Sequence, residues 1–97
     1  MNTSTVSTID ETVITTKLQS MATSGGKPSE MLRYLVMYLK IEQQLELMKL
    51  FTKAFDVSLG EVTAISGWWH DASAELNDND INHYIGWVVD DYVNTSK

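Results

Sequence analysis

Apolar side chains recur at helical spacing in four stretches of this chain, separated by polar or glycine-containing breaks. The first stretch runs from about Ile9 to Ala22. Ile9, Val13, Leu18 and Met21 form its apolar stripe, and Thr8 followed by Glu11 fits a capping box. Thr12, Thr15 and Thr16 weaken that helix, and a short strand over 12–16 is the alternative. The run Thr23-Ser24-Gly25-Gly26-Lys27-Pro28 then breaks the pattern.

The longest stretch comes next, with no glycine or proline between Ser29 and Leu59. Ser29 is placed to cap it and Glu30 suits its first turn. Tyr34, Tyr38, Ile41, Leu45, Met48, Thr52 and Phe55 make one stripe. Leu32, Leu35, Val36 and Leu39 widen it near the start, and Leu47, Leu50, Phe51 and Ala54 near the end. A continuous helix here has roughly 26 residues and a length of about 39 Å. Either it breaks near Lys40–Glu42, or its wide apolar surface meets more than one neighbour.

Ser58 and Glu61 form a second capping-box pattern and predict a helix to about Leu76, with Val62, Ile65, Trp69, Ala72 and Leu76 on one face. Trp68 falls about 100° off that line, at the edge of the stripe. Asn77-Asp78-Asn79-Asp80 reads as a turn, with Asp80 capping a last helix. Ile81, Tyr84, Ile85, Val88, Val89, Tyr92 and Val93 give that helix the cleanest amphipathic pattern in the chain, and residues 94–97 should fray. The expected fold is an all-α bundle of three to four helices. It has a long central helix, a C-terminal antiparallel helical hairpin turning at 77–80, and a disordered tail over 1–8 ahead of a single domain over 9–97.

Composition narrows the class. Ninety-seven residues make one small domain. No run approaches the roughly 18 apolar residues of a membrane span, and the uncharged Ser/Thr-rich start lacks the features of a secretory signal. The chain has no cysteine, so it holds no disulfide or thiolate metal site, and a cytoplasmic location is expected. Charge is unevenly placed. Residues 1–56 carry six acids and six bases, whereas residues 57–97 carry seven acids against Lys97 alone, and so hold the whole net charge of −6. Direct nucleic-acid binding is disfavoured, because phosphates require Lys and Arg clusters.

The candidate chemistry is thin. His70, Asp71, Glu75 and His83 match no helical zinc motif, nucleophile elbow or phosphate loop. Asp78-Asn79-Asp80 lacks the glycine and distal Glu of a calcium loop. No catalytic residue, metal or cofactor is expected, and both histidines read as rim residues.

What stands out is a repeated Gly-Trp pair, Gly67-Trp68 and Gly86-Trp87, on either side of the 77–80 turn. Glycine inside a helix costs about 1 kcal/mol relative to alanine. The two glycines are therefore expected to face each other in close packing, or to mark a contact surface. Tryptophan and tyrosine are favoured interface anchors. The expected function is non-enzymatic binding of another protein, as adaptor, inhibitor or accessory factor. Its surface is anchored by Trp68 or Trp69 with Tyr84 and Trp87 close by, rimmed by Asp71, Glu75, Asp90 and Asp91, and suited to a basic partner. On this reading, substituting Trp68 and Asp71 weakens binding and leaves the fold intact. A homodimer built on the long helix and an acidic mimic of nucleic acid are the alternatives. In size, charge and helix content the chain resembles the small acidic helical immunity proteins that neutralise bacterial toxins. No motif is shared with them, so the likeness is one of class.

Overall fold

The computed structural model describes residues 11–95. Among these residues the chain is all-α and contains no strand. Helix α1 spans Glu11–Thr23. Helix α2 spans Pro28–Arg33 and runs on into a π-helical turn, Tyr34–Tyr38. Helix α3 spans Gln44–Phe55, a 3-10 segment spans Leu59–Gly67, and α4 spans Asp78–Thr95. The expected tail over 1–8 lies outside the described residues, as do Ile9, Ser96 and Lys97.

The helix ends show how sequence sets these boundaries. Helix α1 closes in a Schellman motif. The Gly26 N–H reaches the Met21 carbonyl at 2.8 Å and the Gly25 N–H reaches the Ala22 carbonyl at 3.1 Å. Gly25 takes φ +91°, and a Cβ on Gly26 would sit 2.8 Å from the Met21 oxygen, so both glycines are needed here. The stretch 12–16 is helical and forms no strand, and the buried positions of α1 are Ile14, Leu18 and Ala22 rather than Val13. At the other end of the fold, Asn77 rather than Asp80 caps α4. The Asp80 N–H donates to Asn77 Oδ1 at 2.9 Å, and the Asn77 N–H donates to Asp80 Oδ2 at 3.1 Å. Asn94 and Thr95 stay helical.

The long central helix is not formed. It breaks at the Lys40 position, the first of the two outcomes the pattern allowed. The Leu39 N–H reaches back five residues to the Tyr34 carbonyl, the Ile41 N–H reaches six residues to Leu35, and Lys40 adopts a left-handed φ of +61°. No glycine or proline marks this break, so its cause is tertiary. The two halves bury different stripes against different neighbours. Helix α2 lies on α4, while α3 lies on α1 and on the 3-10 segment. The apparent stripe through Tyr38 and Leu45 is consequently not the core face, and Tyr38 is 77% exposed. The core takes the two flanking edges instead: Leu32, Leu35 and Val36 from the first half, and Leu47, Leu50, Phe51 and Ala54 from the second.

The helical hairpin also needs correction, because its first arm is not an α-helix. The Ser58–Glu61 start is present, with the Ser58 N–H donating to Glu61 Oε1 at 2.8 Å. Beyond this cap the backbone takes 3-10 geometry, kinked at Val62 and ended at Gly67, and then forms an irregular loop over 68–77. Val62, at the kink, Ile65, and Trp68, in extended backbone just past the end of the segment, are all buried. Gln44 holds the end of this segment, its Nε2 donating to the carbonyls of Ser66 at 2.9 Å and Trp68 at 2.8 Å. The Leu76 N–H closes the loop onto the Gly67 carbonyl at 2.8 Å.

Helix α4 lies against α2, the 3-10 segment, α1 and α3. Ile81, Ile85, Val88 and Val89 are its buried face. Ser29, itself buried, fixes its docking on α2. The Ser29 N–H donates to Asn82 Oδ1 at 2.8 Å, and Asn82 Nδ2 donates to Ser29 Oγ at 2.9 Å. Among the described residues, no buried side-chain nitrogen or oxygen lacks a partner.

Candidate functional site

With one face of α4 committed to the core, the opposite face is open. His83, Tyr84, Trp87, Asp90, Asp91 and Asn94 are all exposed, at offsets of 1, 4, 7, 8 and 11 from His83. Tyr84 is 55% and Trp87 46% exposed, large apolar areas for a helix of so small a domain. His83 rests edge-on against Tyr84, ring centroids 5.8 Å apart. The helix carries Asp78, Asp80, Asp90 and Asp91 and no Lys or Arg.

Only part of that acidity is left open on the surface. Asp80 is occupied by the cap on Asn77. Asp78 is the junction of three elements. Its Oδ2 accepts Arg33 Nε at 2.9 Å, and its Oδ1 accepts Arg33 Nη2 at 3.2 Å and the indole Nε1 of Trp68 at 2.9 Å. The hydrogen bonds from Arg33 hold the Asp78 carboxyl below the usual aspartate pKa of 3.8 against the opposing effect of burial, with the Trp68 bond acting in the same direction. The Arg33 guanidinium also lies 5.9 Å from the Trp68 ring centre. Asp90 and Asp91 remain exposed.

The structure divides the expected contact residues. Tyr84, Trp87, Asp90 and Asp91 share the outer face of α4. Glu75 joins them at one side, lining with Leu76, Gly67, Thr63 and Tyr84 a shallow depression of about 290 Å³. Trp69 lies elsewhere. Its ring sits at 62° to Trp68 and is tilted at 54° to His70, centroids 5.2 Å apart in the latter pair. With Met37, Lys40 and Glu42 it lines a separate depression of about 530 Å³. Asp71 serves the loop itself. Its Oδ1 accepts the Ser73 N–H at 2.9 Å, and hydrogen bonding with Ser73 lowers its pKa from 3.8.

Trp68 is overturned as an anchor. It is 0% exposed, the largest fully buried side chain, and its indole nitrogen is spent on Asp78. The helical wheel places Trp69 inside and Trp68 at the edge, and the end of the helical segment at Gly67, with Trp68 in extended backbone, reverses that order. Substituting Trp68 therefore tests the core and not a contact.

The expected facing of the two glycines is also absent. A Cβ on Gly67 would meet the Leu76 side chain at 3.4 Å, whereas one on Gly86 would meet nothing within 4 Å. His70 lines the depression beside Trp69, whereas His83 lies on the outer face of α4. Among the described residues, no three His, Cys, Asp or Glu side chains are grouped to hold a metal, and no helix is long and apolar enough to cross a membrane. The Arg33–Asp78 tie and the role of Met37 and Lys40 beside Trp69 left no trace in the sequence pattern, because both join residues more than 25 positions apart.

No family model, no curated protein and no solved structure matches this chain.

Proposed function

We propose that this protein acts by binding another protein through the outer face of α4, as an adaptor, inhibitor or accessory factor, without catalysis of its own and in a cytoplasmic setting. The observation that carries this reading is the exposure of Tyr84 and Trp87 on one helical face with Asp90 and Asp91. The core is already closed by the other face of α4, so stability does not explain these aromatics. Tryptophan and tyrosine ringed by polar residues are the usual composition of an interface anchor. The free carboxylates of Asp90 and Asp91 favour a partner with a basic rim and would speed its encounter. Glu75 extends the surface beside Tyr84.

A mimic of nucleic acid fits less well, since Asp78 and Asp80 are consumed inside the fold and two adjacent carboxylates do not make a phosphate-like row. Self-association is the second reading. A specific surface favours it, since Met37, Tyr38 and Leu45 are exposed around the break between α2 and α3.

The test uses the wild-type chain and a Trp87→Ala/Asp91→Asn variant as bait, with mass measured by light scattering over a range of concentrations. The reading expects partners held by the wild type and released by the variant, at unchanged monomer mass. Identical captures by both proteins would remove it, and a concentration-dependent dimer would move the function to the Met37–Leu45 surface.

A further inference from the structure

Two depressions lie along one side of α4, and every charged residue that lines them is an acid. The first is the Glu75–Tyr84 depression already described. The second, about 360 Å³, forms where Phe55 and Asp56 at the end of α3 meet Val88, Asp91, Tyr92 and Thr95 of α4. Tyr84, Val88, Asp91 and Thr95 follow one another at offsets of 4, 7 and 11, so both depressions open along the same line of the helix. Tyr84 and Asp91 are about 10 Å apart along that line. The second depression has an apolar floor and a fixed aromatic wall. Phe55 and Val88 are buried, and Tyr92 sits edge-on to Phe55 with ring centroids 5.3 Å apart. Asp56 and Asp91 are exposed beside them. Among the described residues, the carboxylates of Asp56, Glu75 and Asp91 have no hydrogen-bond or ion-pair partner. Lys53, three residues before Asp56, is tied to Glu11 instead.

We infer that these depressions are slots for two arginine side chains, about 10 Å apart, on one basic segment of a partner protein. This rests on the proposed α4 binding surface and names the chemistry it takes. Each slot pairs a tyrosine with at least one free carboxylate. A guanidinium answers both at once, since its flat face stacks on an aromatic ring while its fork of N–H donors meets a carboxylate. An ammonium offers only the charge. The aliphatic stem of arginine suits the Phe55 and Val88 floor. An anion is repelled by Asp56 and Asp91, and an uncharged apolar side chain would take water from those carboxylates and give nothing back. A second copy of this chain does not supply the pair. Its single arginine, Arg33, is already engaged by Asp78.

The probe is the synthetic peptide acetyl-Ala-Arg-Gly-Gly-Arg-Ala-amide, whose two arginines span about 10 Å when extended. It is titrated into uniformly ¹⁵N-labelled full-length protein. The control peptide carries citrulline in place of both arginines, which keeps the shape and removes the charge. Amide shifts should move at 55–57 and 91–95 and also at 63–67, 75–76 and 84, and binding should weaken as salt rises. The citrulline peptide should bind at least about tenfold more weakly. Asp56→Asn and Glu75→Gln should each weaken the arginine peptide by about threefold. Asparagine suits the left-handed backbone of position 56, φ +55°, so that variant should keep its fold by circular dichroism. Equal affinity for a peptide with one arginine would overturn the paired slots. Equal affinity for the citrulline peptide, with shifts confined to Tyr84 and Trp87, would overturn the slots and leave the α4 surface standing. No shift at either slot would overturn them too, and partner capture by the wild type against Trp87→Ala/Asp91→Asn would still decide the wider surface on its own. Shifts at 55–57 caused by Lys97→Ala without peptide would give the second slot to the chain's own end and overturn the partner there.

Discussion

The two Gly-Trp pairs share two letters and have opposite fates. Gly67-Trp68 ends a 3-10 segment, with the glycine against Leu76 and the indole sealed in the core on Asp78. Gly86-Trp87 lies in the middle of an α-helix, with nothing within 4 Å of the Cβ the glycine lacks and the indole half in solvent. The difference comes from the geometry that carries each pair. The segment ends at Gly67, and extended backbone at Trp68, bridged to Leu76, carries the indole inward. A 3.6-residue repeat after Ile81 and Ile85 brings 88 and 89 inward and turns 87 out. The first pair builds the molecule and the second is available to something outside it. Substitutions at each pair can keep or erase that division.

The largest effect belongs to Trp68→Ala. Deleting a fully buried indole costs about 3–5 kcal/mol, a large part of the roughly 5–15 kcal/mol that typically holds such a domain. Chemical denaturation should show most of the stability gone. Trp68→Phe keeps an aromatic ring but loses the Nε1 bond and part of the buried volume, so it should cost less than Trp68→Ala and more than the hydrogen bond alone. If Trp68→Ala unfolds no more readily than the wild type, Trp68 is not core and the two pairs no longer differ in kind.

Next comes the acceptor. Asp78→Ala strands the buried Trp68 nitrogen and frees Arg33, and should cost about 1–3 kcal/mol. The same contact makes a pH prediction. The Asp78 carboxyl has a folded pKa below its ordinary 3.8, chiefly through the Arg33 hydrogen bonds. Its contribution is therefore fully present above about pH 4 and is lost as pH falls below 3.8 through the folded value. Wild type should lose stability over that acid range more steeply than Asp78→Ala, and equal acid slopes for the two would show that Asp78 is not the linked group. The pair is partly exposed to solvent, so added salt should reduce the difference.

The contrast between the pairs also marks how far pattern alone reaches. Helical periodicity located α1, the two halves around Lys40 and α4, because an amphipathic face is a local property of spacing. The capping residues Ser58 and Glu61 were legible for the same reason. Spacing says nothing about which of two adjoining stripes meets a neighbour. The choice of Leu35 and Leu47 over Tyr38 and Leu45 was made by the packing of α2 on α4 and of α3 on α1. The inversion of Trp68 and Trp69 follows from the end of the helical segment at Gly67, which leaves Trp68 in extended backbone and which the apolar letters of 58–68 do not announce. At the candidate site, Tyr84, Trp87, Asp90 and Asp91 were legible as one helix face, whereas Trp69 and Asp71 left it once the helix before them ended at Gly67.

Substituting the glycines gives a smaller effect of opposite sign. Gly86→Ala should stabilise the protein by up to about 1 kcal/mol, since the helix gains propensity and the methyl meets nothing. In a domain of this size that raises Tm by about 4–8 °C. Gly67→Ala should bring no such gain, because its methyl presses on Leu76 and position 67 lies outside any α-helix. A scanning calorimetry trace for each variant decides it, and equal responses would mean that the two glycines share one role after all.

The smallest effect on stability is expected at Trp87. Its ring contributes to an exposed helix face, so Trp87→Ala should shift the unfolding free energy by no more than about 0.5 kcal/mol. The same substitution should be conspicuous by fluorescence. Trp68 is shielded and Trp69 half-buried, so Trp87 should carry most of the emission that an aqueous quencher such as iodide reaches. Removing it should lower the quenchable fraction and shift the remaining emission to shorter wavelength, with the unfolding midpoint unmoved. A variant that loses several degrees of Tm would place Trp87 in the core beside Trp68. An unchanged quenchable fraction would mean that some other surface already covers it in solution, and the mass of the free protein would then show whether that cover is a second copy.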